Sequence, residues 1–138
     1  MPKKILFLCT HNSCRSQMAE GLANRFLGDD YRAFSAGTEA TRVNPLAIRV
    51  LSEIGVDISR QWSKTLEAFD GESFDFVVTL CGDANETCPL FIGGTERTHR
   101  GFDDPSRRSG TEEEVLPEFR RVRDEIKSWI LEFFGGNK

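Results

Sequence analysis

The chain alternates short apolar runs with segments in which apolar residues recur every three or four positions. Contiguous apolar residues predict buried β-strands, and helical spacing predicts amphipathic helices. The predicted strands are residues 3–8, 31–35, 74–80 and 98–102. The first predicted helix spans residues 16–27, and the second begins at Asn44 and Pro45 and runs to residue 54. A short helix is predicted at residues 63–69, and the last helix has apolar positions from Phe119 to Phe133. Residues 81–98 contain glycines and a proline without any period, which predicts a long functional loop.

Strands that alternate with helices predict an α/β fold, with a parallel sheet that carries helices on both faces. In such folds, ligands bind beyond the carboxyl ends of the strands. Cys9, Cys81 and Asp104 each follow a predicted strand. We therefore expect these three side chains to converge on one site at that edge of the sheet.

The start of the last helix has two interpretations. Thr111 and Glu114 have the spacing of a capping box, which would begin the helix there. Pro117 would then lie inside the helix, where it removes a hydrogen bond. The sequence leaves this boundary open over several residues.

The segment from Cys9 to Ser16 carries the strongest chemical signal. Its sequence, Cys-Thr-His-Asn-Ser-Cys-Arg-Ser, follows a buried strand and precedes a helix. The residues between Cys9 and Arg15 are small or polar, so that their backbone N–H groups are able to surround a tetrahedral oxyanion. The helix N-terminus favours that anion and also stabilises a thiolate at Cys9. Because the guanidinium of Arg15 binds two oxygens at once, these residues predict a cysteine nucleophile directed at a phosphate-like substrate.

Composition excludes several classes of function. The 138 residues are 38% hydrophobic and 29% charged, which is typical of one soluble domain spanning residues 1–138. The net charge of −4 gives no reason to expect a nucleic acid as partner. The amino-terminal residues lack the apolar length of a signal sequence or a membrane span, so we expect a cytoplasmic protein with no membrane partner. In that compartment, cysteines are more often catalytic, redox-active or metal-binding than joined in lasting disulfides.

The loop at residues 9–16 resembles that of the low-molecular-weight tyrosine phosphatases and of the arsenate reductases built on the same fold. Cys81, Cys88 and the Asp104-Pro105 pair make the chain look like a thioredoxin-coupled arsenate reductase in particular. The resemblance covers nearly the whole sequence, at residues 9–21, 35–37, 57–59, 77–89 and 101–105. It implies a flavodoxin-like three-layer sandwich, with a four-stranded parallel sheet and a phosphate-binding loop after the first strand.

The resemblance also implies roles for single residues. Cys9 is expected to be the nucleophile, Asp104 the general acid, and Ser16 a hydroxyl donor beside the thiolate. Cys81 and Cys88 would complete a thiol–disulfide relay, with thioredoxin as the electron donor. The substrate-binding residues would be Thr10, His11, Asn12, Ser13, Cys14 and Arg15. We expect arsenate and other phosphate-like oxyanions as ligands, no tightly bound cofactor, and a monomer.

A phosphatase is the alternative function, with Cys9, Arg15 and Asp104 in the same roles. A phosphatase has no use for a second and third cysteine, because water completes its reaction. It would also be expected to have a tyrosine just after the Asp-Pro pair, where this chain has Ser106 and Arg107.

Metal binding is a further alternative. Four cysteines and two histidines invite a zinc site, but the distant cysteine pair lacks the short spacing of most zinc modules. Some members of the resembling family bind potassium through residues that match Asn12, Glu20 and Ser35, and their further ligands correspond here to Trp62 and Lys64. A lysine ammonium would compete with the cation. We therefore expect no metal site.

Overall fold

β1, at Lys3–Cys9, is an inner strand of a parallel sheet. It pairs with β2 (Tyr31–Gly37) on one side and with β3 (Phe74–Thr79) on the other. β4 (Gly94–His99) pairs with β3, so that the strand order is β2-β1-β3-β4. The structure is a computed structural model that describes residues 2–81 and 94–135. Its four-stranded parallel sheet confirms the predicted fold class.

The apolar run in β1 is continuous because both faces of this strand are covered. Ile5, Leu6, Phe7 and Leu8 are all fully buried. Successive side chains of a strand point to opposite faces. Ile5 and Phe7 accordingly pack in one hydrophobic cluster, and Leu6 and Leu8 pack in another.

The described residues include three α-helices: α1 at Arg15–Phe26, α2 at Pro45–Ser52 and α3 at Glu112–Ile130. All three contribute to the cluster on the Ile5 face of the sheet, through residues such as Leu22, Leu51 and Phe119. The predicted ends of α1 and α2 lie within two residues of the observed ones. Within the described ranges, no helix has both the length and the apolar character that a bilayer crossing requires.

The opposite face of the sheet is covered by a 3-10 helix at Leu66–Phe69, where the sequence predicts a short helix. Phe34, Phe69 and Phe74 pack edge to face there, with ring centroids 5.5, 5.7 and 5.8 Å apart. Such tilted contacts are the favoured geometry for aromatic pairs. The sheet thus lies between two layers, in agreement with the predicted sandwich.

The predicted fourth strand at residues 98–102 is wrong. β4 runs from Gly94, opposite Phe74, to His99, opposite Thr79. Its sequence contains no apolar side chain, because it lies at the edge of the sheet and most of its side chains are exposed. Phe102, which suggested a strand, lies beyond β4 and packs against Trp129. Residues 94–98, which were predicted to belong to the long loop, are therefore part of β4. Residues 82–93 of that predicted loop lie outside the described part of the chain.

The capping box decides the start of α3. The Thr111 side chain accepts a hydrogen bond from the Glu114 N–H, and the Glu114 side chain accepts one from the Thr111 N–H. Pro117 lies inside the helix. The hydrogen bond that it cannot donate would have gone to the carbonyl of Glu113, an exposed residue whose carbonyl water is able to reach. The helix therefore tolerates this proline.

We expect Thr111→Ala to lower the free energy of unfolding by about 1 kcal/mol, because the variant loses the side-chain half of the capping box. Urea denaturation followed by circular dichroism measures this change. Ser109→Ala, an exposed position just outside the helix, is the control and should change little. Equal stability of the two variants would contradict the role of the cap.

Candidate functional site

The loop at residues 10–14 connects the carboxyl end of β1 to the amino end of α1. Cys9 is the last residue of β1, and Arg15 is the first residue of α1. Cys14 occupies the N-cap position without a side-chain cap hydrogen bond, and the first turn contains no acidic residue. The first N–H groups of a helix have no acceptor within it, and the positive end of its dipole lies there. The start of α1 is therefore suited to an anion.

Asn12 and Gly37 fix the tight course of this loop. Asn12 has a positive φ of 48° and is fully buried. Gly37 ends β2 against the loop, where a Cβ would lie 2.7 Å from the Thr10 oxygen and 2.8 Å from the Asn12 nitrogen. Only glycine allows so close an approach of two backbones. The end of β2 thus supports the loop from outside.

A chain of hydrogen bonds connects Asn12 and Ser16 to Cys9. The Asn12 Oδ1 accepts from the Gln17 Nε2 at 2.8 Å and from the Lys64 N–H at 2.9 Å, so the Asn12 Nδ2 faces the other way. That Nδ2 donates to the Ser16 Oγ at 2.8 Å. The Ser16 Oγ lies 2.8 Å from the Cys9 Sγ, and because a thiolate only accepts, the Ser16 hydroxyl is the donor when Cys9 is ionised. A hydroxyl that donates to sulfur stabilises a thiolate.

The Arg15 guanidinium joins the loop to two other strand ends. Its side chain is only 2% exposed. Its Nη1 donates to the carbonyl of Leu80 at 3.3 Å and to that of Phe102 at 3.2 Å. Its Nη2 lies 3.5 Å from the Asp104 Oδ2. The three segments that the sequence predicts to converge are therefore held together by one buried cation.

Asp104 is positioned by the turn that follows it. It is the N-cap of a 3-10 helix at Pro105–Arg107, and its Oδ1 accepts from the Ser106 N–H at 3.0 Å and from the Ser106 hydroxyl at 2.6 Å. These bonds turn the Oδ2 toward Arg15. Its neighbour Asp103 points elsewhere, to Arg121 at 2.9 Å. Asp104, and not Asp103, thus belongs to the site.

Cys81 lies one residue from the strand end that contacts Arg15. The Leu80 N–H donates to the Leu8 carbonyl at 2.9 Å, which places the segments bearing Cys9 and Cys81 side by side. Cys81 is 5% exposed. Cys88, the third cysteine of the predicted relay, lies outside the described residues.

Cys14 and His11 occupy different sides of the loop. Burial raises the pKa of the Cys14 thiol, with smaller contributions in the same direction from Asp104 and Cys9. A thiol that resists ionisation is unsuited to a nucleophilic role. The His11 side chain is about half exposed, and its Nε2 lies 3.4 Å from a Glu39 carboxylate oxygen. His11 thus contributes its backbone to the loop while its side chain lies toward solvent.

A buried ion pair lies near Asn12, away from the nucleophile. The Lys64 Nζ lies 3.8 Å from the Glu20 Oε1, and the two side chains are 8% and 15% exposed. Ser35 donates to the same Glu20 oxygen at 2.6 Å, and Lys64 donates to the Trp62 carbonyl at 2.8 Å. Burial raises the pKa of Glu20 and lowers that of Lys64, and the charge of each opposes the shift of the other.

The same contacts decide how well a cation fits there. An ion between Glu20 and the Trp62 carbonyl would meet the Lys64 ammonium, so these residues do not fit potassium. Within residues 2–81 and 94–135, no group of three histidine, cysteine or acidic side chains comes together as a metal site. A cavity of about 860 Å³ opens beside the ion pair, with Glu20, Trp62 and Lys64 in its lining.

Two supporting residues are absent from the sequence-based predictions. Gln17 is fully buried and donates to the Asn12 Oδ1, the Asn12 carbonyl and the Trp62 carbonyl. Ser106 holds the Asp104 carboxylate. The only sequence signal for Gln17 is that a polar residue follows the Arg-Ser pair by one position. Ser106 gives no signal of its own, because a turn is enough to explain a serine after the Asp-Pro pair.

The family model for low molecular weight phosphotyrosine protein phosphatases matches residues 4–135. The chain belongs to this family. It is 52% identical over 131 residues to an arsenate reductase of Bacillus subtilis, which covers 95% of this chain and 94% of the relative. A solved arsenate reductase in the phosphate-binding state is 36% identical, with a TM-score of 0.81 over 97% of this chain and 98% of that one. These likenesses confirm the family resemblance and the fold predicted from the sequence.

A further solved structure is a thioredoxin-dependent arsenate reductase of Corynebacterium glutamicum. It is 29% identical, with a TM-score of 0.60, and the match covers 95% of this chain and 63% of that protein. Relatives named as reductases thus occur at high and at moderate identity within the phosphatase family.

We expect potassium to affect this family member little, because a second positive charge beside the Lys64 ammonium would be repelled. Replacing sodium by potassium at constant ionic strength should change the activity by less than about twofold. The measurement is the steady-state rate, with the phosphate affinity from calorimetry as a second observable. Activation by potassium that sodium does not reproduce would mean that the ammonium leaves this position in solution.

Proposed function

We propose that this chain reduces arsenate to arsenite by a relay of Cys9, Cys81 and Cys88, and that thioredoxin regenerates the enzyme. The observation that carries the proposal is the position of Cys81, a buried cysteine next to the strand end that Arg15 joins to the Cys9 loop. Relatives named as arsenate reductases, one of them 52% identical, support the same assignment.

The first step forms a sulfur–arsenic bond. Arsenate has the shape and charge of phosphate and would bind in the loop, where the start of α1 and the Arg15 guanidinium offer donors. The Cys9 thiolate attacks arsenic while an arsenic–oxygen bond breaks. The departing oxygen leaves as water, and Asp104, whose Oδ2 faces Arg15, is the group placed to supply its proton once the carboxylate has itself taken up a proton on substrate binding.

The second step transfers the electrons. The Cys81 thiolate attacks the Cys9 sulfur, a disulfide forms, and the sulfur–arsenic bond breaks with its electron pair remaining on arsenic. Arsenic passes from the pentavalent to the trivalent state, and two thiols are oxidised. Cys88 then attacks Cys81 and frees Cys9. A dithiol donor of the thioredoxin type reduces the resulting disulfide and is itself oxidised.

A protein tyrosine phosphatase remains the alternative, because Cys9, Arg15 and Asp104 serve both reactions and the family model carries that description. Ser106 and Arg107 follow the Asp-Pro pair, however, so no aromatic side chain stands there to receive a phosphotyrosine ring. This difference favours the reductase.

We expect arsenate-dependent NADPH consumption when the chain is coupled to thioredoxin and thioredoxin reductase, and only slow hydrolysis of an aryl phosphate. Both rates are measured on one preparation. Phosphate, which binds the same loop without accepting electrons, is the matched control for arsenate. Efficient aryl phosphate turnover without arsenate-dependent consumption would establish the phosphatase instead.

Serine substitutions should separate the cysteines of the relay. Cys9→Ser should abolish arsenite release, because an alcohol is a poor nucleophile here and cannot be oxidised to a disulfide. Cys81→Ser should bind oxyanion yet stop after the covalent adduct. Cys88→Ser should complete one turnover and trap a Cys9–Cys81 disulfide.

Cys14→Ser is the control for these variants, and it should cost stability or affinity while the relay persists. The measurement is the arsenite yield in a single turnover, with disulfides mapped by mass spectrometry. Normal cycling of Cys88→Ser with thioredoxin would refute the three-cysteine relay.

A further inference from the structure

Lys64 contacts the catalytic loop through its backbone, while its ammonium binds two residues outside the loop. The ammonium lies in the ion pair with Glu20, donates to the Trp62 carbonyl, and lies 4.9 Å from the centroid of the Trp62 ring. The backbone N–H donates to the Asn12 Oδ1 at 2.9 Å. The Lys64 carbonyl accepts from the Gly37 N–H at 3.0 Å, which fixes this segment to the end of β2.

The backbone contact connects Lys64 to the nucleophile. The Asn12 amide keeps its orientation because two donors, one of them the Lys64 N–H, bind its oxygen. Its Nδ2 then donates to the Ser16 Oγ, and the Ser16 hydroxyl is the donor to Cys9 when the sulfur is a thiolate. Any movement of the Lys64 backbone removes one of the two donors that hold Asn12.

The ammonium keeps that backbone in place. Glu20 is largely buried, and a buried carboxylate is costly unless a cation pairs with it. Without the ammonium, the carboxylate would have to bind a proton or admit water, and the Trp62 carbonyl would keep only the Gln17 amide of its two donors. The first change falls on α1, against which the Lys64 side chain packs, and the second falls on the segment that carries the Lys64 N–H.

We propose that Lys64 is a positioning residue for Cys9, a resident cation whose ion pair with Glu20 holds Asn12 and Ser16 in the orientation that keeps the Cys9 sulfur reactive. This role also explains why the site does not fit a potassium ion, since the Lys64 ammonium already supplies the positive charge beside Glu20. The inference rests on the proposed function only in taking Cys9 as the nucleophile.

The test follows the reactivity of Cys9 without any arsenate. Iodoacetamide forms a carbon–sulfur bond with the thiolate and releases iodide, and mass spectrometry of the Cys9 peptide gives the rate constant as a function of pH. Lys64→Met, which keeps the length and removes the charge, should slow alkylation about tenfold at pH 6, as expected for a weakened hydrogen bond to an ion. The pH profile should move to higher pH, and Lys64→Arg should retain most of the wild-type rate.

Lys127→Met is the matched control. Its ammonium also lies over an aromatic ring, 4.6 Å from the centroid of Phe26. Lys127 belongs to α3, however, and Phe26 is the last residue of α1, at the opposite end of that helix from the loop. It should leave the alkylation profile unchanged. Thermal unfolding of each variant shows that the compared proteins are folded.

Chemical rescue keeps the test decisive if the methionine variant does not fold. Lys64→Ala leaves room beside Glu20 that a small amine is able to reach through the 860 Å³ cavity. Methylammonium should restore Cys9 alkylation in this variant, whereas tetramethylammonium, which has no N–H to donate to the Trp62 carbonyl, should not. Rescue by methylammonium alone supports the proposal.

Two outcomes would overturn it. One is a folded Lys64→Met protein with the wild-type alkylation profile. The other is an equal loss in the Met and Arg variants with no response of Lys64→Ala to methylammonium, which would assign Lys64 to packing only. Because alkylation needs no arsenate, a failure of arsenate reduction in the wild type would refute the proposed function and leave this result standing.

Discussion

The contacts of the buried Arg15 guanidinium are the interaction on which the site depends. A buried cation is tolerated only when acceptors surround it, and here the acceptors come from two segments, one that follows β3 and one that follows β4. The Leu80 carbonyl is far in sequence from the Phe102 carbonyl and the Asp104 carboxylate, and Arg15 is far from all three, so their common partner fixes distances that no local motif determines. Moving any one of these segments would leave part of a buried charge without an acceptor.

The parallel sheet makes that arrangement possible. β1, β2 and β3 all end at the same edge, so Cys9, Gly37 and Leu80 become neighbours although their positions in the chain are distant. Each has a separate task there: a nucleophile, a backbone small enough to lie against the loop, and a carbonyl that anchors the guanidinium. The buried, continuous apolar run of β1 is therefore also what brings Cys9 to the site.

Much of this could be predicted from the sequence, and the failures have physical causes. Residues 9–16, Asp104 and the starts of α1 and α2 are encoded by local chemistry, which a sequence displays directly. The start of α3 stayed open because the capping box at Thr111 places Pro117 inside the helix. β4 was not predicted because its side chains lie at the sheet edge and are mostly solvated. The strand pairs through backbone hydrogen bonds, so its sequence shows no apolar pattern. The role of Gln17 was not predicted because its burial depends on a distant part of the chain. Gln17 donates to the Trp62 carbonyl, about forty-five positions away in sequence.

The loop lies between two buried ion pairs of the same design. Arg15 pairs with Asp104 on the side of the nucleophile, and Lys64 pairs with Glu20 near Asn12. In each pair the carboxylate also accepts a serine hydroxyl, from Ser106 and from Ser35. Charges that are already desolvated and held by the fold need no reorganisation when an anion arrives. In a site of this kind, the charges that suit an oxyanion are in place before the ligand enters. The same fold places the Ser16 hydroxyl 2.8 Å from the Cys9 sulfur.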